Sequence, residues 1–284
     1  MFEDVVVGIR DRDAGRDAVA LARELVAPRG KLTLAHVEVV TGKPAPDSAS
    51  ARDASHRRDA LEQLTALREE LRVDAELACP EAGSVPQGLH ELASSRGADL
   101  LVVSASRRDE IAREMIGDHT REILEGAPCA VAVAPLSYYE RAAQITKVGV
   151  AYDGSAESER ALALARALAA EREAELSAFE AVRAPTYARD PWNVEGEIDE
   201  RVEQARKRLG ALDGVEPHAE FADNAVKGLH DYGGSVDLLV LGAHDYTPVD
   251  HLLERSTSQR LADDTSTPLL VLATADRAAV HASE

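Results

Sequence analysis

Short apolar runs without alternation punctuate the chain. In its first half they cover Val5 to Ile9, Leu32 to Val40, Leu100 to Val103 and Ala130 to Val133, with a weaker run near Asp74 to Cys79. Unbroken apolar runs of this length predict strands buried on both faces. Between them, apolar positions at helical spacing predict helices over Ala14 to Val26, Ala51 to Leu71, Val85 to Ser95 and Asp118 to Glu125. Pro128 marks the entry into the last strand. In the second half, strands are expected near Val148 to Tyr152, Ala174 to Val182, Val215 to Phe221, Leu238 to Leu241 and Leu269 to Leu272. Helices are expected near Glu157 to Ala170, Val194 to Leu209, Ala225 to Tyr232 and Thr257 to Asp263. Strands alternating with helices make a parallel sheet covered on both faces, and right-handed crossovers make it doubly wound.

The two halves are copies of one unit. Val7-Gly8-Ile9-Arg10-Asp11 matches Val150-Ala151-Tyr152-Asp153-Gly154 at an offset of 143 residues. Ala98-Asp99-Leu100-Leu101-Val102-Val103-Ser104 matches Val236-Asp237-Leu238-Leu239-Val240-Leu241-Gly242 at 138, and the segments at Ala127 and Thr267 match at 140. A period of this size is a domain and not a solenoid repeat. The expected domains are residues 1–136 and 145–275, joined by the polar stretch Leu136 to Gln144.

Composition narrows the function classes. The chain has 284 residues, 51 acidic against 32 basic, and a net charge of −19. Phosphate-backbone binding rests on basic patches, so this balance argues against a nucleic-acid partner. Only five bases are lysine, and the excess of acid and of arginine resembles the proteins of salt-loving microbes, haloarchaea among them. No apolar run reaches the roughly 18 residues of a membrane span, and the start Met1-Phe2-Glu3-Asp4 lacks the basic region of a signal peptide. The expectation is a soluble cytoplasmic protein with no membrane contact.

The element order and Val148-Gly149-Val150-Ala151-Tyr152-Asp153-Gly154-Ser155, with the stretch from Asp237 to Ala273, resemble the universal stress protein family. The resemblance covers nearly all of both halves. It implies two tandem Rossmann-like domains of the adenine nucleotide alpha hydrolase-like kind, each a five-stranded parallel sheet of order 3-2-1-4-5. Reversal of direction between strands 1 and 4 opens a switch-point crevice, where such sheets take ligands. The resemblance also implies that fifth strands pair, here Ala130 to Val133 against Leu270 to Leu272 within one chain, with a homodimer of chains as a further option. It implies regulation of a protein partner, a transporter among the candidates.

Family members that hold ATP carry Gly-x2-Gly-x9-Gly-Ser/Thr after strand 4. Glycines admit the phosphates to the backbone, and amides at the next helix start bind them. Both copies here are degenerate. The first has Ser104, Arg107, Gly117 and Asp118 at the four positions; the second has Gly242, Asp245, Arg255 and Ser256. Asp118 and Asp245 put carboxylates where phosphate belongs. At the first strand, Asp153-Gly154-Ser155 of the second copy becomes Arg10-Asp11-Arg12 in the first. The resemblance places Asp153 near a bound nucleoside, while turn and cap chemistry accounts equally for Asp153 and Ser155. Any residual ATP or AMP site is therefore expected in the second domain, on Asp153, Gly154, Ser155, Gly242 and Ser256.

Other chemistry is sparse. His244 and His251 lack zinc spacing and suit a surface loop, and no metal is expected. Cys79 and Cys129 form no C-x-x-C and read as buried thiols. Trp192, the only tryptophan, follows Asp190-Pro191 in a long loop, where it caps the crevice or packs. There is no nucleophile elbow, complete P-loop or dinucleotide fingerprint. The expectation is a non-enzymatic stress-response or regulatory protein acting as an interaction module, the alternative being a nucleotide-binding regulator.

Overall fold

The computed structural model describes residues 1–40, 49–105, 119–141, 144–184, 194–242, 257–262 and 265–273. The chain divides into two compact units, Met1 to Ala143 and Gln144 to Thr274. The first contains β1 (Phe2–Gly8), α1 (Arg12–Leu25), β2 (Val26–Ala35), β3 (Glu38–Val39), α2 (Ala49–Leu71), β4 (Glu76–Ala78), β5 (Glu81–Ala82), α3 (Val85–Arg96), β6 (Leu100–Ser104), α4 (His119–Gly126), β7 (Ala130–Ala134) and α5 (Tyr138–Arg141). The second contains β8 (Lys147–Ala151), α6 (Ala156–Arg172), β9 (Glu175–Val182), α7 (Val194–Gly210), β10 (Glu216–Phe221), α8 (Ala225–Gly233), β11 (Leu238–Gly242), α9 (Thr257–Ala262) and β12 (Leu269–Leu272).

Each unit holds a five-stranded parallel sheet. In the first the order is β4-β2-β1-β6-β7, in the second β10-β9-β8-β11-β12. Numbered within a unit, both read 3-2-1-4-5. Val5, Val6 and Val7 of β1 and Leu100, Leu101 and Val102 of β6 are fully buried, as the unbroken apolar runs require of strands covered on both faces. Val148, Val150 and Val240 repeat this in the second unit. Truncating a buried leucine such as Leu101 to alanine costs about 2–5 kcal/mol.

The same carboxylate latch fastens strand 1 in both units. Asp99, just before β6, accepts hydrogen bonds from the amides of Glu3 (2.8 Å) and Asp4 (3.1 Å). Asp237, just before β11, accepts from the Thr146 amide, the Thr146 hydroxyl and the Lys147 amide, each at 2.9 Å. The repeat Asp-Leu-Leu-Val thus carries a contact as well as a strand.

Three segments depart from the pattern-based reading. α1 stops at Leu25 and Val26 is already extended; Pro28 disfavours helical geometry in Ala27, the residue before it, so the helix has to close ahead of that pair. β2 ends at Ala35 although its apolar run continues. Beyond it the amides of His36, Glu38 and Val40 bond to the carbonyls of Ala78, Pro80 and Ala82, so the chain leaves β1 and forms the short β3–β5 pair. The polar stretch after β7 contains α5, which packs on α1. Asp17 of α1 is buried, and its two carboxylate oxygens accept from the amides of Ser137 and Tyr139, both at 2.9 Å. That pair satisfies the start of the short helix, where backbone amides lack partners of their own.

Candidate functional site

The second unit opens a crevice of about 430 Å³ at the switch point between β8 and β11. β8 ends at Ala151, and Tyr152 and Asp153 follow into the rim. Gly154 then turns with φ +81, a left-handed conformation that side-chain-bearing residues avoid. Ser155 caps α6: its hydroxyl accepts from the Ser158 amide at 3.2 Å, and the Ser158 hydroxyl donates to the Ser155 carbonyl at 2.9 Å. Asp153 Oδ1 accepts from the Ser155 amide at 3.0 Å. Turn and cap chemistry therefore engages Asp153 and Ser155, while Asp153 also lines the crevice.

Gly242, at the end of β11, lines the same crevice. A Cβ there would meet the carbonyl oxygen of Glu157 at 2.6 Å. The first motif glycine is thus required by the close approach of α6, independently of any ligand. Phe179, Ala181, Leu229 and Leu241 supply apolar walls, and Thr257 and Ser258 of α9 supply hydroxyls. Asp245, Arg255 and Ser256 lie outside the described residues, as do His244, His251 and Trp192.

Tyr152 and Glu180 are among the crevice residues that escaped the sequence reading. Tyr152 donates its hydroxyl to Glu159, which, with burial, pushes the phenol up to about 12. Glu180 stands one residue past Phe179, which pairs with Ala151, so it sits at the mouth-side end of β9. Its Oε1 accepts from Arg208 Nη2, while its Oε2 is buried without a hydrogen-bond partner among the described residues. A charged residue among the apolar positions Ala178, Phe179, Ala181 and Val182 is the signal that would have marked it.

The first unit carries different chemistry at the same places. Arg10 Nε donates to Asp11 Oδ2 at 2.9 Å, and Asp11 Oδ1 caps α1 through the Ala14 amide at 2.9 Å. Arg10 lines a smaller cleft of about 260 Å³ with Arg16, Ser137 and Tyr139. Ser104 ends β6 half-buried, its hydroxyl donating to the Ala105 carbonyl at 3.3 Å. Arg107, Gly117 and Asp118 lie outside the described residues. Among the described residues no group of three or more His, Cys, Asp or Glu is arranged to hold a metal ion. Cys79 is buried and Cys129 half-buried; burial pushes both thiols up, Cys129 to about 12. No described helix is long and apolar enough to cross a membrane.

A sequence model of the universal stress protein family matches residues 1–135 and again residues 144–273. The chain belongs to the universal stress protein family. Two solved structures carry this tandem fold over nearly the whole chain. A universal stress protein from Archaeoglobus fulgidus is 13% identical, with 95% of each chain covered and a TM-score of 0.66. A putative universal stress protein from Pseudomonas aeruginosa is 18% identical, with 99% of this chain and 96% of that one covered and a TM-score of 0.61. Identities this low establish the fold alone. No curated protein matches the chain by sequence. Within this stress-protein fold, the second unit brings Asp153 and Gly242 to one crevice and leaves Gly154 and Ser155 at its helix-starting edge.

Proposed function

We propose that this universal stress protein is a non-enzymatic regulator that acts by presenting its surface to a protein partner, with a weak adenine-nucleotide site confined to the second unit. The observation that carries the reading is the charge of that unit's crevice. Its described lining has two carboxylates, Asp153 and Glu180, against one cation, Arg183. Glu180 is already paired with Arg208, so the lining holds no surplus of positive charge for a triphosphate, and Asp153 repels one. A carboxylate about 4 Å from a phosphate charge costs about 4 kcal/mol at an effective dielectric of 20. The apolar walls and the acceptor groups suit a base and a sugar better than a phosphate chain.

The degenerate motif supports the same reading. Asp245 and Arg255 add side chains at positions where the family's ATP-holding members have glycine. In the first unit, Arg10 stands in place of the first-strand aspartate and is paired with Asp11. Calorimetric titration of the full chain with ATP-Mg and with AMP tests the proposal. Binding no tighter than about 100 μM is expected, with no phosphate released from ATP. Micromolar ATP affinity, or nucleotide retained through purification, would overturn it.

A further inference from the structure

We infer that the cleft beside α5 in the first unit is a docking surface for a partner segment that carries a lysine or arginine next to a large apolar side chain. The inference rests on the partner-presenting reading above and gives that partner a place and a chemistry.

The cleft holds about 260 Å³ between the start of α1 and the stretch from Leu136 to Glu140. Small-molecule pockets run to roughly 300–1,000 Å³, so this one suits a single side chain better than a whole ligand. Leu136 and Tyr139 line it and are 37% and 44% exposed. Exposed apolar side chains around a concavity gain when an incoming apolar group covers them, and tyrosine and arginine are enriched where binding energy concentrates. Tyr139 is held in place: its amide bonds to Asp17, and the Arg16 guanidinium lies 5.7 Å from its ring centroid. Glu70 of α2 holds Arg16 in turn, accepting from its Nε at 2.7 Å. A surface fixed before binding loses less freedom when a partner arrives.

Charge sets the sign of that partner. The cleft lining has four carboxylates, Asp11, Asp13, Asp17 and Glu140, against two cations, Arg10 and Arg16. Both cations are already engaged, Arg10 by Asp11 and Arg16 by Glu70. Asp17 is buried and committed to the Ser137 and Tyr139 amides. Asp13, with its side chain 81% exposed, and Glu140, also exposed, are the carboxylates open to a partner's cation. An acidic segment is repelled here and by the net charge of −19, whereas a basic one is drawn in.

The second unit is built differently at the same places. At the repeat offset of 143 residues, Arg10, Arg16 and Asp17 become Asp153, Glu159 and Arg160. An arginine has no acceptor to offer the amides of a following segment, so the anchor that presents Tyr139 belongs to the first unit.

The test titrates three short labelled peptides into the intact chain at about 0.15 M salt, read by fluorescence anisotropy. One has lysines flanking a leucine, one lysines flanking a serine, and one glutamates flanking a leucine. The lysine–leucine peptide is expected to bind at least about tenfold tighter than either of the others. With it bound, hydrogen exchange should slow over residues 136–141. Asp13→Asn with Glu140→Gln should weaken that peptide about fivefold or more, whereas Asp213→Asn with Glu220→Gln, exposed in the second unit, removes the same charge and should change it less than about twofold. Equal losses in the two double variants, exchange slowed elsewhere, equal binding of the lysine–leucine and lysine–serine peptides, or no binding of any peptide at about 1 mM overturns the inference. The regulator reading survives each of these results, because the ATP titration judges it separately. The peptide ratios and the exchange map of the unmodified protein require no variant to fold.

Discussion

A Cβ placed on Gly242 would lie 2.6 Å from the carbonyl oxygen of Glu157 and 2.7 Å from its carbon, so the end of β11 and the first turn of α6 touch backbone to backbone. Neither side of this contact is a flexible side-chain end. Gly242→Ala must therefore displace α6 or β11 and is expected to destabilise by about 1–3 kcal/mol. Gly210 is the contrast: it ends α7, and a Cβ there meets nothing within 4 Å. Gly210→Ala should be neutral or stabilising by about 0.4–1 kcal/mol. Urea midpoints of the two variants should move in opposite directions or by clearly different amounts; equal midpoints would refute the close approach.

Asp17 holds the segment after β7 through Ser137 and Tyr139. Asp17→Ala deprives both amides of their acceptor, with an expected cost of about 1–3 kcal/mol. Arg141 lies at the end of the same short helix. Native-state trypsin digestion should then cut after Arg141 sooner than in the parent, and an unchanged cleavage rate would argue against the anchoring role.

Asp237 accepts three hydrogen bonds, whereas Asp99 accepts two. Replacement by alanine should lower stability in each case by about 0.5–1.5 kcal/mol per bond lost, reduced by the exposure of both sites. Asp237→Ala should be the more damaging of the two. Denaturant titration of both variants reads the order directly.

Burial, partly offset by the hydrogen bond shared with Ser177, pushes the Tyr232 phenol up to about 12, and the hydrogen bond to Glu159 followed by burial does the same for Tyr152. The unfolded phenol ionises near 10. The folded state keeps its protons longer, so stability is undiminished below about pH 10 and falls as pH rises toward 12. Absorbance at the phenolate band should show Tyr152 and Tyr232 titrating late in the native protein and at the ordinary value in denaturant. Tyr232→Phe keeps the stack on Phe179, whose ring centroid is 4.6 Å away, and removes one of the late phenols.

A net charge of −19 repels itself in the compact state. Raising KCl from about 0.1 M to about 3 M shortens the screening length from about 10 Å to below 3 Å. The thermal midpoint is expected to climb across that range. A flat or falling midpoint would remove the charge-driven salt requirement.

The repeated apolar runs made the element order and the duplication readable, since strands buried on both faces leave little freedom in their composition. The latch residues were present in that repeat too, as Asp99 and Asp237, but a carboxylate before a strand does not announce which amides it will accept from. Gly242 was legible as a motif glycine; that it answers to the Glu157 backbone was not. Glu180 went unread because its interest depends on what Arg208 does, 28 residues further on.

The sequence by itself determined two copies of an alternating strand–helix unit, the buried faces of their sheets, and the replacement of Asp153 by Arg10 in the first copy. Burial demands apolar runs at regular periods, and periods are local. Only the tertiary structure decided that the stretch after β7 is anchored by Asp17, that β2 hands its hydrogen bonds to the Ala78–Ala82 segment, and that Glu180 pairs with Arg208. Each of those depends on groups brought together from distant parts of the chain, where packing and hydrogen-bond satisfaction, and not local spacing, select the partner.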